Sequence, residues 1–125
     1  MVDDTVPGEQ IARDWLLLLD RGDAQTAWQR AARRLQNAVT LENWARVFSA
    51  TRDLLGPPIN RTLVDAEPDT ELLDVPEGEC VVLEFHTIFA KRTATETVTP
   101  MRDADGAWRV GGYYVRPTGD GLSIA

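Results

Sequence analysis

Three consecutive residues, Gly56-Pro57-Pro58, split the chain into two parts with different periodicities. Proline lacks an amide hydrogen and clashes with the preceding helical turn, so no helix continues through this point. Upstream, apolar residues recur at helical spacing. Downstream they alternate, as in strands. A chain divided in this way is read as helices followed by strands, an α+β arrangement.

The spacing of Ile11, Trp15, Leu18 and Leu19 predicts a first helix over about 9–21, with Gly22 as its stop. Asp23 then caps a second helix over 24–36, with Ala24, Ala27, Trp28, Ala31 and Leu35 on its apolar side. Thr40 caps a third helix to about 55, whose stripe is Trp44, Val47, Phe48, Thr51 and Leu55. The tryptophans read as core. Four strands are predicted over 59–73 (broken near Pro68), 80–90, 93–102 and 107–116. The turns between them are Pro76-Glu-Gly78, Lys91-Arg92 and Asp103-Ala-Asp-Gly106. One domain over 9–116 is expected, between a lead-in at 1–8 and a flexible tail at 117–125. The predicted fold is three N-terminal helices on a curved four-stranded antiparallel sheet, since such a sheet must cover one face. Gly111 and Gly112 permit sharp curvature. A sheet curved around helices would enclose a cone-shaped hollow suited to a ligand.

Composition removes several function classes. The 125 residues, 43% apolar, suit a single folded domain. A net charge of −7 argues against a general nucleic-acid or anionic-membrane surface. The longest strictly apolar run is Trp15 to Leu19, far below the roughly 20 residues of a membrane span. Cys80 and His86 are the only residues of their kinds, so neither a disulfide nor a conventional zinc site is expected. Six strand residues span about 20 Å, so these two cannot act as a nucleophile and base pair. Ser49 and Ser123 lie outside any nucleophile elbow. Gly119 to Gly121 precedes no helix and is no phosphate loop. Asp65, Glu67, Asp69 and Glu71 resemble the start of a calcium loop, but Thr70 replaces the required glycine. No metal and no cofactor are expected. The basic cluster Arg30, Arg33 and Arg34 reads as a solvated helix face. The first residues lack the pattern of an export signal, which makes a cytoplasmic location the default and an exported one the alternative.

Strand parity yields one candidate site. With even hairpin loops, Leu83, Phe85, Thr87 and Phe89 share a face with Ala94, Glu96 and Val98, and with Arg109, Tyr113 and Val115. This is the more apolar face, expected under the helices. A buried Glu96 needs a partner. Arg109 is the expected one, with Tyr113 as hydrogen-bond donor and Arg61 within inward reach. The cluster reads either as a structural ion pair or as a pocket. In the pocket reading Arg109 or Arg61 holds an anionic group, and Thr87, Glu96 and Tyr113 complete the lining. The opposite face is expected to carry Glu84, His86, Thr95, Thr97, Thr99 and Val110, together with Trp108 and Tyr114. Large aromatics on a solvated face mark a partner surface.

A set of short segments resembles a known family. They are Trp15-Leu-Leu-Leu-Leu-Asp-Arg-Gly, Ala27-Trp28, Asn43-Trp44, Arg52-Asp-Leu-Leu-Gly-Pro, Asn60-Arg61, Glu84-Phe-His-Thr-Ile-Phe, Glu96-Thr-Val-Thr and Gly106-Ala-Trp-Arg-Val-Gly-Gly-Tyr-Tyr. Their order and spacing resemble the bacterial domain of unknown function 4019 over about residues 10–116. That family has no established activity. Its layout is similar to the nuclear-transport-factor-2-like, or cystatin-like, folds, which include small isomerases, dehydratases and epoxide hydrolases beside non-catalytic modules. Many similar proteins carry an export signal, and in similar folds the outer sheet face pairs with a second copy. The resemblance thus implies a homodimer through His86, Trp108 and Tyr114.

The expected function is a non-catalytic small-ligand-binding or dimerisation module. One alternative is a cofactor-free enzyme using Glu96 as base in the cone, although Arg109 beside it would oppose that role. Another is an accessory subunit that docks a larger partner through the acidic segment from Asp65 to Glu79.

Overall fold

The computed structural model describes residues 8–68 and 79–118. Four helices come first: α1 (Glu9–Asp20), α2 (Ala24–Gln29), α3 (Arg33–Ala38) and α4 (Leu41–Leu55). Four strands follow: β1 (Pro58–Pro68), β2 (Val81–Phe89), β3 (Thr93–Arg102) and β4 (Trp108–Pro117). They form one antiparallel sheet in the order β1-β2-β3-β4. The expected strand residues 69–73, the turn at 76–78, and most of the lead-in and tail lie outside the described residues.

Local chemistry sets the helix ends. The Thr26 amide donates to Asp23 Oδ1 at 3.1 Å, and the Asn43 amide to Thr40 Oγ1 at 3.1 Å, so both predicted caps form. Gly56 takes a positive φ of 81°, and its amide reaches the Arg52 carbonyl at 2.7 Å. A glycine stop is favoured there because side chains strain that conformation.

The predicted helix over 24–36 is instead two helices, giving four in place of three. Ala32 turns extended, at φ −66° and ψ 157°, and its amide donates to the Val110 carbonyl of β4 at 2.8 Å. Asp103 Oδ2 accepts from the Arg33 amide at 3.1 Å and caps α3 from across the fold. One hydrogen bond to β4 and one to the turn between β3 and β4 thereby replace continuation of the helix, a tertiary effect that local propensity does not report.

Tryptophan indoles stitch the helices together. Trp15 Nε1 donates to the Ala27 carbonyl (2.8 Å), Trp28 Nε1 to Val39 (2.9 Å) and Trp44 Nε1 to Ala24 (2.9 Å). Each ring adds bulk to the core while its single donor is satisfied. Leu16 and Leu19 from α1 meet Leu83, Phe85 and Val98 from the sheet, all essentially inaccessible to solvent.

The sheet is open and does not curl into the expected cone. β1 and β4 are its two edges and do not meet. Two register shifts interrupt β1, and Ala32 occupies the β4 edge at Val110, devices that blunt free edges. Packed side chains lie against the sheet where the cone-shaped hollow was expected.

A bulge in β4 changes the parity. Thr99 faces Gly112 but Pro100 faces Val110, which leaves Gly111 as an extra residue. Residues before it therefore point opposite to the predicted sense. Val110 is buried in the helix-side core, and Trp108 packs against the same cluster rather than standing on the outer face. Only His86 and Tyr114 of the three interface candidates are exposed, and they flank β3 rather than forming an aromatic patch. The homodimer inferred from that surface loses its basis.

A Cβ on Gly111 would overlap the Met101 side chain, itself buried with Ala32 and Cys80, whereas on Gly112 its nearest neighbour, Thr99, lies at 3.6 Å. Gly111→Ala is expected to destabilise by about 1–3 kcal/mol through overpacking. Gly112→Ala should stay within about 0.5 kcal/mol of the parent. Urea unfolding of both variants checks the contrast.

Candidate functional site

Alternation along the central strands places Thr87, Glu96 and Tyr113 on the face that the helices cover. Glu96 in β3 stands opposite Phe85 of β2 and Val115 of β4. Thr87 and Tyr113 are each two residues from one of those partners, hence on the same side. Arg61 in β1 faces Thr87 directly. The helices add two groups from above: Asp20, the last residue of α1, and Arg52, near the end of α4.

These residues form one ion cluster. Glu96 has no solvent exposure. Its Oε1 accepts from Arg61 Nε at 2.8 Å and from Thr87 Oγ1 at 2.6 Å, and its Oε2 accepts from the Tyr113 hydroxyl at 2.5 Å. Arg61 continues to Asp20, donating from Nη1 at 2.9 Å and from Nη2 at 3.2 Å. Arg52 Nη2 donates to Asp20 Oδ1 at 3.1 Å and stands 3.7 Å from Glu96 Oε2. Two guanidinium groups thus balance two carboxylates, as burial of charge requires. Among the described residues, no buried side-chain nitrogen or oxygen lacks a hydrogen-bond partner.

Aromatic rings fix the cluster. The Arg52 guanidinium lies 5.1 Å from the centroids of both Phe48 and Phe89, within cation–π range. Tyr113 meets Trp15 and Trp44 edge-on, with centroids at 5.5 and 6.2 Å. Burial, joined by the negative charge of Glu96, pushes the Tyr113 phenol well above its ordinary range. Burial alone would lower Arg61, but its hydrogen bond to Asp20 and the charge of Glu96 prevail and raise it. Tyr113 is therefore a fixed donor, not a group that exchanges protons near neutrality.

The expected Glu96–Arg109 pair does not form. The extra residue at Gly111 directs Arg109 away, where its Nη1 and Nη2 donate to Asp105 at 2.8 Å each and its Nη1 to Asp103 at 3.2 Å. Arg61, Thr87, Glu96 and Tyr113 do come together. Asp20 and Arg52 were missed, although Arg52 lies one helical turn beyond Phe48 on the same stripe. His86 is exposed on the outer face, opposite Thr95. No group of three or more His, Cys, Asp or Glu suited to a metal ion occurs among the described residues. No described helix is long and apolar enough to cross a membrane. The acidic segment proposed for partner docking lies mostly outside the described residues.

Two depressions bear on where a ligand could sit. One, of about 270 Å³, runs between α4 and β4 and is lined by Trp44, Val47, Phe48, Arg52, Tyr113 and Tyr114. A larger one, of about 520 Å³, includes Gln29, Arg33, Gln36, Asp103, Asp105 and Arg109. Asp103, Asp105 and Arg109 there already pair with one another, and Asp103 also caps α3. The smaller groove joins an apolar wall to the ion cluster through Arg52 and Tyr113.

No curated protein and no solved structure matches the chain. A model for a protein family of unknown function, DUF4019, matches residues 11–113, which include every member of the ion cluster. The chain belongs to the DUF4019 family.

Proposed function

We propose that this chain is a non-catalytic small-ligand-binding module in which the cluster of Asp20, Arg52, Arg61 and Glu96 holds the fold together. The observation that carries this reading is the saturation of Glu96, which accepts from Arg61, Thr87 and Tyr113 with no solvent contact. A general base must reach the substrate proton it removes. Here both oxygens of Glu96 are engaged by protein donors. The groove beside Arg52 supports binding, since ligand sites combine apolar walls with a few placed polar groups.

Removing Glu96 would leave Arg61 Nε and the Thr87 and Tyr113 hydroxyls without their acceptor. Glu96→Ala is expected to destabilise by about 3–5 kcal/mol, the cost of breaking a buried charge pair. Arg109→Met should stay close to the parent, because Arg109 pairs only at the surface turn. Denaturant unfolding measures both. Parent-like stability of Glu96→Ala would return that carboxylate to the catalytic reading.

The raised Tyr113 phenol gives a pH signature. Below about pH 10, the ordinary tyrosine value, the phenol is neutral in both the folded and unfolded states. Above it the unfolded chain releases a proton that the folded chain retains, so rising pH favours unfolding. Stability should fall from about pH 10 upward, and Tyr113→Phe should flatten that fall. Thermal unfolding across this range, parent beside variant, provides the check.

A further inference from the structure

Arg52 and Arg61 differ in how much of each guanidinium is used. Arg61 engages Nε, Nη1 and Nη2 with Glu96 and Asp20. Arg52 donates from Nη2 to Asp20, and its charge and a side-chain hydrogen bond also act on Tyr113. Its Nε and Nη1 meet no protein acceptor among the described residues. The Arg52 side chain is 13% exposed. Arg52 lines the groove between α4 and β4. The rings of Phe48 and Phe89 hold its plane in place, so its remaining donors are ordered before any ligand arrives.

The walls over Arg52 are Trp44, Phe48 and Tyr113, with Val47 and Tyr114 at the mouth, 53% and 61% exposed. At about 270 Å³ the groove is slightly below the usual range of about 300–1,000 Å³ for ligand pockets. That size suits a body of about one ring. Charge then decides the polar end. Asp20 and Glu96 already neutralise Arg52 and Arg61. A carboxylate ligand would add unbalanced negative charge beside two buried carboxylates, in a chain whose net charge is −7. An uncharged carbonyl oxygen accepts from the spare donors without that cost.

We infer that the groove between α4 and β4 binds an uncharged, ring-bearing carbonyl compound, with Arg52 donating to the carbonyl and the aromatic walls enclosing the ring. This rests on the reading of the chain as a ligand-binding module and names the ligand class.

Three probes that share one ring separate the possibilities: acetophenone (neutral acceptor), benzoate (anionic acceptor) and ethylbenzene (no acceptor). Each is titrated into the folded protein while amide and arginine side-chain resonances are followed by NMR. Acetophenone should produce saturable shifts at Val47, Thr51, Tyr114 and the Arg52 guanidinium, and bind at least fivefold more tightly than the other two. Tyr114→Ala with Val47→Gln, both exposed positions outside the ion cluster, should weaken it at least fivefold. The charge-balanced pair Asp20→Asn with Arg52→Gln should abolish the preference for acetophenone over ethylbenzene, provided its amide spectrum stays dispersed. Should that pair unfold, the parent's ranking of the three probes decides alone. Tighter binding of benzoate would overturn the uncharged class. Absence of saturable groove shifts with all three would overturn the site. Neither result touches the structural role of Glu96, which is read separately from the stability of Glu96→Ala.

Discussion

The guanidinium of Arg61 lies between two carboxylates that belong to different layers of the molecule. On one side it donates to Glu96, buried in the sheet, and on the other to Asp20 at the end of α1. Through Arg52 the same cluster reaches α4, and through Thr87 and Tyr113 it reaches β2 and β4. A single charge-balanced network therefore touches every strand and both of the longer helices. Apolar packing supplies the bulk of the burial but is weakly directional. The network is directional, and its donors and acceptors match only when α1, α4 and the sheet take one relative arrangement.

Edge management explains much of the remaining architecture. β4 would present free backbone groups near Val110, and the extended turn between α2 and α3 covers them. The same contact divides what local propensity would make one helix. β1, at the other edge, carries two register shifts. Bulged edges resist pairing with other chains, which agrees with a sheet that stays open at four strands. The bulge at Gly111 separates two jobs within β4: Trp108 and Val110 join the core near the helices, and Tyr113 joins the ion cluster.

Much of this was legible in the sequence. The Gly56-Pro57-Pro58 stop, the Asp23 and Thr40 caps and the four strands are local signals, and the structure carries the stop, both caps and a strand at each of the four places, the first described as far as Pro68. Glu96 facing inward with Thr87 and Tyr113 followed from period-two alternation across a tight hairpin. The misses have one common cause, dependence on contacts distant in the chain. One extra residue at Gly111 reverses parity, so Arg109 and Trp108 were assigned to the wrong faces. No local pattern distinguishes a glycine that bends a strand from one that forms a bulge. Asp20 and Arg52 looked like ordinary polar residues at helix ends, and only the docking of both helices over Glu96 gives them a role. The four-helix count likewise depends on a hydrogen bond between Ala32 and Val110, far apart in the chain.

Energetic coupling across the Arg61–Glu96 contact joins the sheet to the helices, and a double-mutant cycle measures that coupling directly. Unfolding free energies of the parent, Arg61→Met, Glu96→Gln and the double variant give the interaction term without the separate cost of each substitution. A coupling above about 1 kcal/mol is expected, within the range of about 0.5–3 kcal/mol for contacting residues. Additive effects, with coupling near zero, would contradict the claim that this contact fixes the sheet to the helices.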